Sequence, residues 1–376
     1  MKAILRLYQA LAMFILYLVT GLLSLQVLAQ ALQSDDPPII YSAAFDSASY
    51  YFSSPEEVAQ IGEDFDRMGE QESYMFNPWT TFTERPFDGE LVHIDQASTW
   101  PTRRTLPQVM LDPAKPRLLV WAMGASSMFG WGVSDGNTIA SHLQQELQAL
   151  LPTYQVQVVN HGHSYFFSSL EVALYIALLR TDPMPNAVVF LNGVNDANWV
   201  GRGYEVPPFT AQAESAWEQQ RAQRYQTDPW DWVEFNASFP PLRFIEYLAL
   251  FSDTPNSVIP PSTPPENPAR AVMLTYTMNY QMARSISATF GVKAYFFLQP
   301  IRIQLRQQAP FAEVYTAWLA DAQLSQADDF HSLDGLFQGG DRYYVDNSHY
   351  SDLGNYLIGQ AMAQIIAPDF QAPSQE

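Results

Sequence analysis

From residue 116 onward, short apolar runs alternate with segments whose apolar residues recur at helical spacing. The runs are "RLLVWAM" from Arg117, "QVQVVN" at 155–160, "NAVVFLNG" at 186–193 and "VKAYFFLQP" at 292–300. Helices are predicted at 138–150, where Ile139, Leu143, Leu147 and Leu150 share one face, and at 169–180, 269–290 and 352–366. The stretch "RYYVDNSHY" before the last helix reads as one more strand, ending near His349. A continuous apolar strand has no face to give to water, so helices must cover it on both sides. The expected fold is α/β: a three-layer α/β/α sandwich with a central parallel sheet.

The rest of the chain lacks that rhythm. Residues 32–115 hold Pro, Gly and aromatics without sustained helical periodicity, and only "ELVHID" and "TRRTL" read as short strands in an irregular N-terminal extension. A Pro-rich insertion at about 200–268 follows the third strand on the sheet edge where ligands bind in open parallel sheets. It reads equally as a lid or as a surface excursion. Its Trp217, Trp230 and Trp232, with Trp199, could stack on sugars or fill the core, and core is the default. The expected layout is an N-terminal segment 1–31, the extension 32–115 and a catalytic region 116–370.

The N-terminal segment points to export. Lys2 and Arg6 precede an apolar run from Ala10 to Leu28, "AQA" at 29–31 offers a small-x-small cleavage site, and the next cation is Arg67. The segment reads either as a cleaved signal peptide or as a single-helix membrane anchor, which places the remainder in the periplasm or outside the cell. A formal net charge of -20 with no basic cluster argues against nucleic acid as a partner. The absence of cysteine removes thiol nucleophiles, thiolate metal sites and disulfides.

Small residues interrupt the first strand's exit in "GASSMFG" at 124–130, where a serine would sit in the loop ahead of a helix, beside free backbone N–H groups. A plain helix-capping turn explains the same residues. Serine needs a base, and His349 stands three residues after Asp346, a spacing that can aim both side chains one way. Oxyanion donors are available at two other strand ends, Gly162 in "NHGHS" and Asn195 in "GVND". "HGH" sets two imidazoles close together as a metal site would, but no further ligand set accompanies it, so no metal and no cofactor are expected.

In that order, "GASSMFG", "NHGHS", "GVND" and "DNSH" resemble the four signature blocks of the SGNH (GDSL-like) hydrolases, over about 116–366. The resemblance implies a flavodoxin-like fold and a triad of Ser126 as nucleophile, Asp346 and His349. It also implies an oxyanion hole from Ser126, Gly162 and Asn195. His163 and Asp196 are then expected to line the substrate pocket. Ala125 stands where the family name implies Asp, and Ser127 is a competing nucleophile; the Gly124-x-Ser126 spacing with Gly130 favours Ser126. An α/β-hydrolase fits worse, because its G-x-S-x-G elbow would need glycine where Met128 stands.

The function expected is an exported serine esterase or deacylase acting on a small-molecule or glycan ester. Two alternatives remain open at this stage. One is an O-acyltransferase acting on envelope polysaccharide, and the other is an inactive carbohydrate-binding protein on the same scaffold.

Overall fold

The computed structural model describes residues 45–71, 73–96, 99–200, 267–308, 311–321, 324, 326–337 and 340–371, with Met13, Phe14, Tyr17 and Gly21. The apolar segment 1–31 as a span, insertion residues 201–266 with their three tryptophans, and the side chain of Trp199 lie outside the described residues. Among the described residues, no helix is long and apolar enough to cross a membrane. Residues Tyr41–Glu376 group as one unit.

The extension is more ordered than its composition predicts. Helix α1 (Pro55–Glu70) starts with a capping box: Ser54 accepts from the Glu57 N–H while Glu57 reaches back to the Ser54 N–H. Its Val58, Ile61, Phe65 and Met68 recur at helical spacing and are buried. The sequence reading found no sustained helical periodicity here and missed this helix, although "SPEE" carries its start signal. A hairpin of β1 (Tyr74–Asn77) and β2 (Thr81–Glu84) follows. Then come β3 (Phe87–Asp88), β4 (His93–Asp95) and β5 (Thr102–Arg103), the last two falling within "ELVHID" and "TRRTL".

In β6 (Arg117–Gly124), Leu118, Val120 and Ala122 face one layer while Leu119, Trp121 and Met123 face the other, and all six are buried. This double burial explains the unbroken apolar run. After β6 come α2 (Ser126–Phe129), α3 (Ile139–Leu150), β7 (Gln155–Gly162), α4 (Ser168–Thr181), β8 (Ala187–Asn192) and α5 (Val194–Val200). Beyond the insertion lie α6 (Pro268–Phe290), β9 (Lys293–Leu298), α7 (Ile303–Arg306), α8 (Phe311–Ala320), β10 (Phe330–Ser332) and α9 (Asp352–Ile366). One sheet runs in the order β10-β9-β8-β6-β7-β5-β4-β3. Its first five strands are parallel, and the three from the extension add an antiparallel flank. Residues of α4, α6 and α8 pack on the Trp121 face, and residues of α3 and α9 on the Val120 face. The fold is thus a three-layer α/β/α sandwich whose sheet is mostly, not wholly, parallel.

Buried carboxylates fasten the extension to this core. Asp352, at the first position of α9, accepts the backbone N–H groups of Tyr51, Phe52 and Ser53 at 2.7–2.8 Å. Within the extension, Asp64 of α1 likewise accepts the N–H groups of Glu90, Leu91 and Val92, while Asp135 of the core pairs with buried Arg103 of β5 at 3.0 Å. Such carboxylates replace lost hydration with several charge-assisted bonds, so part of the acidic surplus is structural. Removing one orphans several partners at once. Asp352→Ala is expected to lower unfolding free energy by about 3 kcal/mol, read from the urea midpoint; an unchanged midpoint would contradict this anchoring.

Candidate active site

Strand register brings the chemical loops together. Gly124 of β6 pairs with Gly162 of β7 and with Leu191 of β8, and Asn192 of β8 pairs with Leu298 of β9. The loops after all four strands therefore leave from one edge of the sheet, the carboxyl edge where open α/β sheets bind ligands.

Ser126 begins α2 directly after Ala125, so its N–H belongs to a first helical turn, where no helical carbonyl takes it. The small residues before it are a packing requirement. A Cβ on Gly162 would lie 2.3 Å from the Phe129 nitrogen, so α2 rests on the end of β7 only because that residue is glycine. Gly130 closes α2 at a φ of +89°, a left-handed conformation that glycine adopts without strain.

The acid and base come from a turn, not from the strand the sequence led us to expect. Residues Asp341–Tyr343 form one 3-10 turn, and a single antiparallel bridge joins Tyr344 to Tyr350. Within the turn, Asp346 Oδ1 accepts the N–H groups of Ser348 and His349, both at 2.8 Å, which points its Oδ2 at the imidazole. His349 Nδ1 lies 2.6 Å from Asp346 Oδ2, and His349 Nε2 lies 2.8 Å from Ser126 Oγ. Three residues spread over 220 positions thus form one unbroken chain of hydrogen bonds. Arg302 steadies the turn from outside, pairing with Asp341 at 2.8 Å and donating to the Asp346 carbonyl at 3.3 Å. Partial burial pushes the Asp346 carboxyl up, but the hydrogen bond and charge of His349, with the two backbone N–H groups, outweigh it and bring the group down to about 2. The carboxylate is therefore ionised at neutral pH, as an acid that orients an imidazole must be.

Ser127, the competing nucleophile, is buried and donates to the Ser348 carbonyl at 3.4 Å. Asn195, in the first turn of α5, gives one amide N–H to the Phe166 carbonyl at 2.7 Å and is only partly buried. The amide carries a second donor.

Three assignments need correction. The Gly162 N–H donates to Asn160 Oδ1 at 2.9 Å, while Asn160 Nδ2 holds the Met128 carbonyl at 2.8 Å, so Gly162 seats α2 and its donor is already engaged. His163 does not line a pocket. It is 2% exposed and bonds through Nδ1 to Glu84 of β2, which also takes the Ser164 N–H, so it fastens the extension to the loop after β7. Asp196 is likewise buried, and it accepts both the backbone N–H and the hydroxyl of Ser168 at the start of α4. Partners distant in sequence claim His163 and Asp196, and a side chain two residues away claims the Gly162 N–H.

Burial raises the Asp196 carboxyl from 3.8 to about 6, against the lowering effect of its Ser168 bonds. A carboxyl whose folded value exceeds its unfolded value contributes stability that is present below pH 4 and lost as pH rises through 6. Asp196→Asn is therefore expected to gain stability relative to wild type between pH 4 and 6, by on the order of 3 kcal/mol at most. Urea midpoints of the two proteins across that range check it, and a constant difference would contradict it.

Sequence reading did not single out Trp131, Tyr165 or Arg302. The Trp131 ring lies 6.0 Å from the His349 ring and 4.5 Å from Phe65 of α1. Tyr165, at a φ of +64°, holds a conformation that non-glycine residues seldom adopt, in the loop that anchors Asn195. None of the three carries a local sequence signal: Trp131 depends on the extension, Tyr165 on backbone geometry and Arg302 on the distant turn it steadies.

Fold and site define an α/β sandwich with a serine, a histidine and an aspartate hydrogen-bonded in series at the carboxyl edge of its sheet. No family model and no curated protein matches the chain. Among solved structures, it is similar to a G-D-S-L family protein from Desulfitobacterium hafniense DCB-2, with 12% identity, 66% of this chain and 100% of that one covered, and a TM-score of 0.37. It is also similar to a carbohydrate esterase family 2 enzyme plus carbohydrate binding domain from Corynascus thermopiles (Myceliophthora fergusii), at 15% identity, 70% and 69% coverage and a TM-score of 0.40. A third is a two-domain esterase active on acetylated mannans, at 12% identity and a TM-score of 0.36, with 70% of this chain and 52% of that one covered.

Proposed function

We propose that the chain is a serine esterase or deacylase that hydrolyses carboxylic esters through an acyl-enzyme on Ser126. The observation that carries the reading is the series Ser126 Oγ, His349, Asp346, with separations of 2.8 Å and 2.6 Å. A serine hydroxyl is a weak nucleophile until a neighbouring base takes its proton, and the base must present its unprotonated nitrogen. The Asp346 carboxylate holds the proton on Nδ1, so Nε2 faces Ser126 with its lone pair.

His349 Nε2 takes the hydroxyl proton as Ser126 Oγ bonds to the ester carbonyl carbon. The carbonyl π electrons move onto oxygen, where the Ser126 N–H and the second N–H of Asn195 stabilise the charge. The C–O bond to the alcohol then breaks, and the alcohol leaves with the proton from His349. A water molecule repeats the sequence on the acyl-enzyme, releasing the acid and restoring Ser126. The reaction as written draws only on these groups and water. Since the Gly162 N–H is engaged, the oxyanion has two donors here in place of the three first expected.

Export belongs to the same proposal, supported by Lys2, Arg6 and the apolar run that follows them. The substrate class is tested by turnover of aryl esters of increasing acyl length beside acetylated glycans, with water and added sugars as competing acyl acceptors. Release of free acid from at least one ester supports the esterase reading. Transfer to sugar in preference to water would make the protein an O-acyltransferase. Glycan binding without turnover of any ester would overturn the enzymatic reading.

A further inference from the structure

Gln299 follows directly on the end of β9, and its buried side chain bonds in three directions. Its Oε1 accepts the Val194 N–H at 3.3 Å, while its Nε2 donates to the Tyr350 hydroxyl at 3.1 Å and to the Ser127 hydroxyl at 3.5 Å. The main chain of the same residue is fixed as well. Its N–H donates to the Asn192 carbonyl at 2.9 Å, and its carbonyl accepts from the Tyr315 hydroxyl at 3.2 Å. Tyr350 is in turn pinned to the Pro300 carbonyl at 2.6 Å.

The residues gripped by the amide are not arbitrary. Val194, Tyr350 and Ser127 are the immediate chain neighbours of Asn195, His349 and Ser126. Three loops that leave different parts of the chain therefore share one planar amide, which has an acceptor at one end and donors at the other. The β6–β8 ladder brings two of those loops side by side, and among the described residues no ladder ties the Tyr350 turn to either of them. Moving any one of them strains or breaks a bond to a group whose own main chain is held on both sides just past the end of β9.

We infer that Gln299 is a positioning residue, which holds Ser126, His349 and Asn195 in mutual register without touching the reacting atoms. The inference rests on the esterase reading above. Its physical basis is the steep dependence of rate on alignment: a displacement of about 1 Å at reacting groups can lower the rate by about 100-fold. A residue that acts only on alignment should alter kcat and leave substrate affinity nearly unchanged.

The experiment measures kcat and KM of the full chain on an aryl ester for wild type, Gln299→Met, Gln299→Glu and Tyr350→Phe, with fluorophosphonate labelling of each. Methionine keeps the length and loses both polar ends, whereas glutamate keeps an acceptor for the Val194 N–H. Gln299→Met is expected to lower kcat by about 100-fold with KM within about threefold of wild type, and Gln299→Glu to fall between them. If Gln299→Met does not fold, Tyr350→Phe decides, since it cuts one of the three ties and is expected to lower kcat by about tenfold. Wild-type kcat in the deciding variant, or a change confined to KM, overturns the inference while leaving the esterase reading intact. A wild-type protein that neither turns over nor labels overturns both, and that outcome is recognised before any variant is made.

Discussion

Alanine in place of Ser126 is expected to lower kcat on any ester the protein hydrolyses by about 10⁵- to 10⁶-fold. The hydroxyl supplies the only bond that forms with the acyl group, so His349 and Asp346 have nothing to activate once it is gone. What survives is catalysis by the oxyanion donors acting on water. Ser127→Ala supplies the contrast. Its hydroxyl contacts the Ser348 carbonyl and lies at the limit of hydrogen bonding to Gln299, so its loss should leave kcat within about tenfold of wild type. Equal losses in the two variants would show that the assignment between adjacent serines is wrong.

Asp346→Asn is expected to lower kcat by about 10⁴-fold while leaving the fold in place. Asparagine Oδ1 can still accept the N–H groups of Ser348 and His349, so the turn has no reason to open. The other terminus becomes an N–H₂ group that donates toward His349 Nδ1. That forces the proton onto Nε2, and the imidazole then meets Ser126 with a donor instead of a lone pair. The measurement is kcat together with the urea midpoint. A large fall in the midpoint would mean that Asp346 acts through folding, and unchanged kcat would remove it from the mechanism.

These two results bear on residues that were legible in the sequence, and for a definite reason. Ser126, Asn195 and the Asp346–His349 pair each sit within a few residues of the signal that gives them away: an apolar run that ends, a small-residue turn, or a three-residue spacing. The same is true of β6 to β9 and of α3, α4, α6 and α9, whose apolar periodicity is local. What failed depends on which groups meet once the chain is folded. His163 looked available until Glu84 was seen to claim it, Asp196 until Ser168 did, and the Gly162 donor until Asn160 did.

The region 341–350 was misread because the consecutive Tyr343, Tyr344 and Val345 are residue types that strands favour. Tyr343, Tyr344 and Tyr350 are buried as strand residues are, but they pack the turn beneath α9 and contribute one bridge instead of a ladder. Helix α1 was missed for a different reason. Its Ser54–Glu57 box is a local signal, and the aromatic and Pro content around it masked the periodicity of Val58, Ile61, Phe65 and Met68. Gln299 was visible only as the last polar residue of an apolar run. Nothing near it in sequence shows that it touches a neighbour of each reacting residue.

The proposed chemistry stands on a single contact between two side chains 223 positions apart. The most direct test incubates the purified protein with a fluorophosphonate, weighs the intact chain and maps the adduct by peptide mass spectrometry. One adduct per chain is predicted, on Ser126, present in Ser127→Ala and absent from Ser126→Ala and His349→Ala. No adduct on the wild type, or one that persists when Ser126 is alanine, would contradict it.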